Sequence, residues 1–202
     1  MKITDSSKGF EQPPVGTAVA RCYRIIDLGT QEGEYQGKKI YRRQVHFTWE
    51  LPNDLMTEGD HAGKPFMVSK FYTASMNEKA TLRKDLENWR GREFTPEELS
   101  GFDPKNVLGK ACLLSIILNE KGKAKITGVS GLPKGMDVPK QVNTSFYFSL
   151  EVEDFSRNDY EMLPEFFREL IAKSPEYQKI VGSASDLQSD TPSDLDSDSI
   201  PF

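Results

Sequence analysis

Between Tyr35 and Trp49 the chain interleaves cations with rings: Lys38, Lys39, Arg42 and Arg43 among Tyr35, Tyr41, His46, Phe47 and Trp49. That mixture suits an unpaired strand of nucleic acid. Cations track the phosphates, and flat side chains stack the bases at roughly 1–3 kcal/mol each, whatever the base. Arg24, Lys70, Tyr72, Lys121, Lys123 and Lys125 add charge and one more ring from other segments. Alternation turns Val45, Phe47 and Trp49 inward, so the expected stackers are Tyr35, Tyr41 and Tyr72. Other chemistries find less support. Cys22 and Cys112 lie in apolar runs with no CxxC, and two thiolates cannot complete a zinc site. His46 and His61 are the two histidines, and their spacing favours neither a metal site nor a catalytic set. Glu32, Glu34, Asp54, Glu58 and Asp60 fall in expected loops without a metal-nuclease pattern. The chain is therefore expected to be no enzyme and to need no cofactor or metal.

Net charge is −5 over 202 residues, which on its own argues against a polyanion partner. Its distribution reverses that conclusion. Residues 1–135 hold 21 bases against 17 acids, whereas residues 183–202 hold five Asp and no base. There is no apolar run of about 18 residues, and the first residues lack a signal-peptide core. The expectation is a chain of the cytoplasm, away from membranes.

The elements that would position these groups follow from periodicity. Residues 1–16, with Pro13-Pro14, read as a flexible arm. Thr17–Leu28 reads as a strand, Gly29–Gly37 as a loop, Lys39–Leu51 as a long strand of period two, and Phe66–Tyr72 as a third strand. Ser75-x-x-Glu78 has the form of a capping box. Leu82, Leu86 and Trp89 then share one helical face, stopped by Gly91. Thr95-Pro96 suggests a second short helix, and Ala111–Leu118 with Lys123–Leu132 a closing hairpin. Three strands, a helix and two strands over 17–135 match a five-stranded Greek-key OB-fold barrel with its helix between strands three and four. Its binding cleft would gather Lys38–Arg43, Lys70, Tyr72 and Lys121–Lys125.

Residues 136–182 read as a strap, with a strand near 145–155 and an amphipathic helix carrying Leu163, Phe166, Phe167, Leu170 and Ile171. Asp159 is a suitable cap. This helix would pack on the barrel or on a second copy, giving a homodimer or filament. Residues 183–202, rich in Ser and Asp, are expected to be a disordered acidic tail.

That tail carries the more specific signal. Asp194, Asp196 and Asp198, followed by Ile200-Pro201-Phe202, resemble the C-terminal tip of bacterial single-stranded DNA-binding proteins. The Asp residues here are spaced by Leu and Ser where that family has a solid run. The stretches Ile25–Gln31 (IIDLGTQ), Tyr72–Trp89 (YTASMNEKATLRKDLENW) and Leu132–Met136 (LPKGM) resemble phage-encoded OB-fold proteins of the same kind. The resemblance implies a phage replication, recombination or repair protein in a bacterial host. It would coat single-stranded DNA and recruit replication or repair proteins through Asp194–Phe202. An OB-fold interaction adaptor or recombination mediator, binding DNA weakly, is the alternative.

Overall fold

The computed structural model describes residues 11–186. The expectations placed on residues 1–10 and on 187–202, including Asp194, Asp196, Asp198, Ile200, Pro201 and Phe202, lie outside these residues, while 183–186, expected in the disordered tail, instead end the last helix. The described chain is mainly β. Strands β1 (Gly16–Tyr35), β2 (Lys38–Leu55) and β3 (Pro65–Thr73) precede helices α1 (Thr81–Arg90) and α2 (Pro96–Ser100). Then come β4 (Ala111–Leu118), β5 (Ala124–Ser130), the short β6 (Phe146–Phe148), and α3 (Arg157–Met162), α4 (Glu165–Ala172) and α5 (Pro175–Asp186). The sheet runs β3-β2-β1-β4-β5, antiparallel throughout, and β6 adds to β1 in parallel. The end strands β3 and β5 approach one another, and α1 packs against both.

Two cores follow from the two faces of the sheet. Inward residues Cys22, Ile25, Val45, Phe47, Trp49, Leu114, Ile116 and Val129 pack with Leu82 and Leu86 of α1. Outward residues Ile26 and Leu28 of β1 pack with Phe148, Leu163, Phe167, Ile171 and Tyr177 of the C-terminal segment. The amphipathic pattern read around residue 167 thus docks on the same chain. It forms two helices, because Pro164 interrupts it: α3 ends at Met162 and α4 begins at Glu165. Ser156, not Asp159, caps α3, accepting the Asp159 amide at 3.2 Å.

Several local expectations are corrected. The segment 29–37 is not a loop. It continues β1 into a hairpin arm, with Thr30 to Tyr35 paired to Arg43 to Lys38. The arm escapes a periodicity reading because most of its residues are exposed, so no apolar alternation marks it. Its turn is Gln36-Gly37, both at positive φ (52° and 74°), as a type I′ hairpin needs. Ser75 and Glu78 make no capping box. α1 starts behind Ala80 without a side-chain cap, and the box forms instead at α2 between Thr95 and Glu98. The strand expected over 145–155 shortens to the three residues of β6. The described part of the N-terminal arm is tied down: Glu11 accepts the Thr57 amide and hydroxyl, and Gln12 accepts the Ala124 amide.

Candidate nucleic-acid interface

β2 pairs without a bulge of its own from Lys38 to Leu51, so its parity assigns each side chain to a face. Odd positions Val45, Phe47, Trp49 and Leu51 are buried inside. Lys39, Tyr41 and Arg43 share their parity and so continue the inner face out along the arm. Even positions Lys38, Ile40, Arg42, Gln44 and His46 share the outer face. Two extra residues in β1, one in each register shift at Cys22/Arg24 and Asp27/Gly29, keep Arg24 and Ile26 opposite outer residues and place Tyr35 opposite Lys38.

The basic run is thereby split. On the inner-parity side the cations are already engaged. Lys39 pairs with Glu32 at 2.7 Å, and the Tyr41 hydroxyl donates to the same carboxylate at 3.2 Å. These two contacts, Lys39 first, lower the Glu32 carboxyl below its ordinary value. Arg43 bridges Asp27 and Glu151. On the outer side Lys38 and Arg42 are exposed and have no ion-pair partner among the described residues.

Lys70 and Tyr72 have inner parity on β3, opposite Phe47 and Val45. Tyr72 is 4% exposed, and its hydroxyl donates to Asp85 Oδ2 at 2.7 Å. Burial, then the Asp85 carboxylate, pushes its phenol well up. The expected stacking role of Tyr72 is corrected: its ring belongs to the core because β3 turns it inward. Lys70 donates to the same Asp85 oxygen at 2.7 Å, so much of its charge is answered locally. Arg24 is on the outer face but engaged, donating to Thr48 Oγ1 at 3.3 Å with its guanidinium over the Phe167 ring. Lys121, Lys123 and Lys125 sit on the β4–β5 hairpin. Its ladder ends beside Gly16, at the far end of β1 from Tyr35.

The middle of the outer face is also taken. His46 lies between Phe71 and Phe167, at 4.5 and 4.7 Å between ring centres, and is 3% exposed. Burial, with a smaller contribution from Arg24, lowers its imidazole to about 4. Glu50, fully buried, accepts the amides of Val142 and Asn143 and so clamps the strap. The single cleft expected from sequence is replaced by a covered centre with an open flank.

That flank brings together residues from three segments. Tyr35 is 58% exposed and Phe71 46%. Phe71 stands opposite His46 on β3, hence on the face of Lys38 and Arg42. A groove of about 630 Å³ opens beside it, lined by Arg42, Lys70, Phe71, Thr73, Asn77 and Lys79. Lys79 is exposed and has no ion-pair partner among the described residues. Tyr35, Lys38 and Arg42 were therefore legible in the sequence, whereas Phe71 and Lys79 were not. The signal for Phe71 was its parity against buried Tyr72, which becomes readable only once Tyr72 is known to point inward. Among the described residues no group of three or more His, Cys, Asp or Glu could hold a metal ion, and no helix is long and apolar enough to cross a membrane. No family model, curated protein or solved structure matches the chain.

Proposed function

We propose that this chain binds single-stranded DNA, without strong sequence preference, along the open flank of its outer sheet face. The observation that carries the reading is the co-facial set Tyr35, Lys38, Arg42 and Phe71 on paired strands, with two exposed rings and two cations lacking acidic partners. Lys38 and Arg42 lie about 14 Å apart along β2 at ~3.4 Å per residue, so one strand of nucleic acid spans both. Lys79 extends the positive track, and the groove beside Phe71 gives a base room to enter. This is phosphate neutralisation plus stacking, with no bond made or broken.

We also assign the sheet to the OB class of barrel. The β3-β2-β1-β4-β5 order, the approach of β3 to β5 and the placement of α1 against both support that assignment. The likeness of the Ile25–Gln31 and Tyr72–Trp89 stretches to phage proteins supports a role in phage replication or recombination inside a bacterial host. Asp194–Phe202 would then recruit replication or repair proteins.

The test is a titration of labelled dT oligomers followed by anisotropy, for the intact chain and for Arg42→Ala and Phe71→Ala. Binding that weakens in both variants while folding is retained supports the reading. Tight binding that neither substitution alters removes the flank as the site, and no binding at low salt removes the function.

A further inference from the structure

The groove beside Phe71 holds more positive charge than an internal phosphate of a strand uses. Arg42, Lys70 and Lys79 line it from three segments, and no Asp or Glu lines it. Its uncharged polar groups can donate. Thr73, Asn77 and Thr81 are exposed in the lining. The Asn77 side-chain oxygen accepts the Lys79 amide at 3.0 Å, which leaves its NH2 to donate. The Ser75 hydroxyl oxygen accepts the Asn77 amide at 3.2 Å and can donate its own proton. Acids do stand nearby. Asp85 answers Lys70, Glu87 pairs with Arg83, and Glu78 adjoins Lys79 in sequence. Counting Arg42 and every charged residue from Lys70 to Glu87, five bases still outnumber three acids by two.

The groove also lies where the open flank stops. Beyond Arg42 the next outer positions of β2 are Gln44 and His46, and Phe167 covers His46. The Ala74 amide donates to the Arg43 carbonyl at 2.8 Å, which holds the chain leaving β3 against the base of the arm. From there Ser75, Asn77, Lys79 and Thr81 form a wall of the groove. A strand laid from Tyr35 past Lys38 and Arg42 has no open sheet ahead of it, and its phosphate chain turns into the groove.

An internal phosphodiester brings one negative charge. A terminal phosphate monoester brings about −1.5 to −2 at pH 7 and presents three acceptor oxygens. The surplus of two bases and the donors around it match the monoester. We propose that the groove binds the terminal phosphate of a single strand. Arg42 and Lys79 give it charge-assisted hydrogen bonds, Asn77 and Thr81 donate to the remaining oxygens, and Phe71 stacks the adjoining base. The inference rests on the single-strand reading and adds to it a preference for phosphorylated ends. A free mononucleotide carries the same phosphate but lacks the further nucleotides that meet Lys38 and Tyr35.

The test uses the full chain and three dT oligomers of one length, carrying a 5′-phosphate, a 3′-phosphate or neither, each followed by anisotropy of an internal label. One phosphorylated oligomer should bind about tenfold more tightly than the unphosphorylated one, the low end of what a further charged hydrogen bond gives. Phosphatase treatment should remove the gain. The ratio, taken within each variant, should fall to about one in Lys79→Gln, an exposed position whose substitution leaves folding intact. It should persist in Lys110→Gln, which removes an exposed charge outside the groove. Loss of the ratio in both variants would trace it to total charge and overturn the inference. Equal affinity for the three oligomers overturns it and leaves the single-strand reading in place. Binding of a phosphorylated oligomer alone supports the end site and removes that reading, and no binding of any oligomer removes both. The matching thymidine monophosphate should bind at least about tenfold more weakly than the phosphorylated oligomer. Equal affinity would assign the groove to free nucleotides and overturn the strand-end assignment.

Discussion

Arg42 and Phe71 are where charge and a ring are both exposed on one face, so substitutions there separate binding from folding. Phe71→Ala should weaken dT binding by the ~1–3 kcal/mol of one stacked base, roughly 5- to 150-fold, as read by anisotropy. Tyr72→Ala, one residue away, should instead destabilise the protein by ~3–5 kcal/mol in urea unfolding, since it opens a core cavity and strips Asp85 of a buried donor. Equal effects of the two substitutions on folding would contradict the face assignment. His46 sets an acid limit. Its folded imidazole titrates near 4 against 6.5 when exposed, so the unfolded chain binds the extra proton between those values. The stability this gives is present above pH 6.5 and is lost as pH falls toward 4. Between pH 7 and 4.5 the loss is about 2–3 kcal/mol, and the parent should fall by about that much more than His46→Gln. Parallel pH curves for the two proteins would refute it.

The β1–β2 arm depends on its turn. Gln36 adopts φ 52°, a left-handed conformation that favours Asn or Gly. Gln36→Asn should therefore raise stability by ~0.5 kcal/mol and leave DNA affinity unchanged, checked by thermal melting beside a titration. A destabilised variant would show that the Gln36 side chain contributes something else to the turn. The strap is held differently: buried Glu50 accepts the Val142 and Asn143 amides, as well as the Asn143 side-chain amide. Glu50→Leu should cost ~3–5 kcal/mol by orphaning those donors, with exchange rising over 139–146 before the rest of the chain unfolds. At this scale the buried strands and α1 were readable because their inward residues repeat at two or at three and four. The arm was hidden because a hairpin exposed on both faces needs no alternation. The split between α3 and α4 was readable in principle at Pro164, but the apolar spacing ran across it.

For the whole molecule, electrostatics and topology act together. Net charge is negative, yet the flank carrying Lys38, Arg42 and Lys79 has no acidic partner for them among the described residues. Affinity for dT oligomers should fall steeply with salt, and Arg42→Ala should reduce the log–log slope by about 0.7, the value for one phosphate on a single strand. An unchanged slope would mean Arg42 meets no phosphate. Local order was written into the chain. Composition segregates basic body from acidic end, and alternation in β2 marks Val45, Phe47 and Trp49 as core and the basic run as surface. Which cations would share a face was not. Parity inside one strand is local, but the pairing of β2 with β3 and the bulges of β1 are long-range contacts, and they alone bring Phe71 beside Arg42 and turn Tyr72 inward. The same holds for the outer face. Nothing near His46 or Glu50 in the chain announces that residues nearly a hundred or more positions later will bury them. That outcome arises because the apolar sides of β1 and α4 each lack cover until they meet.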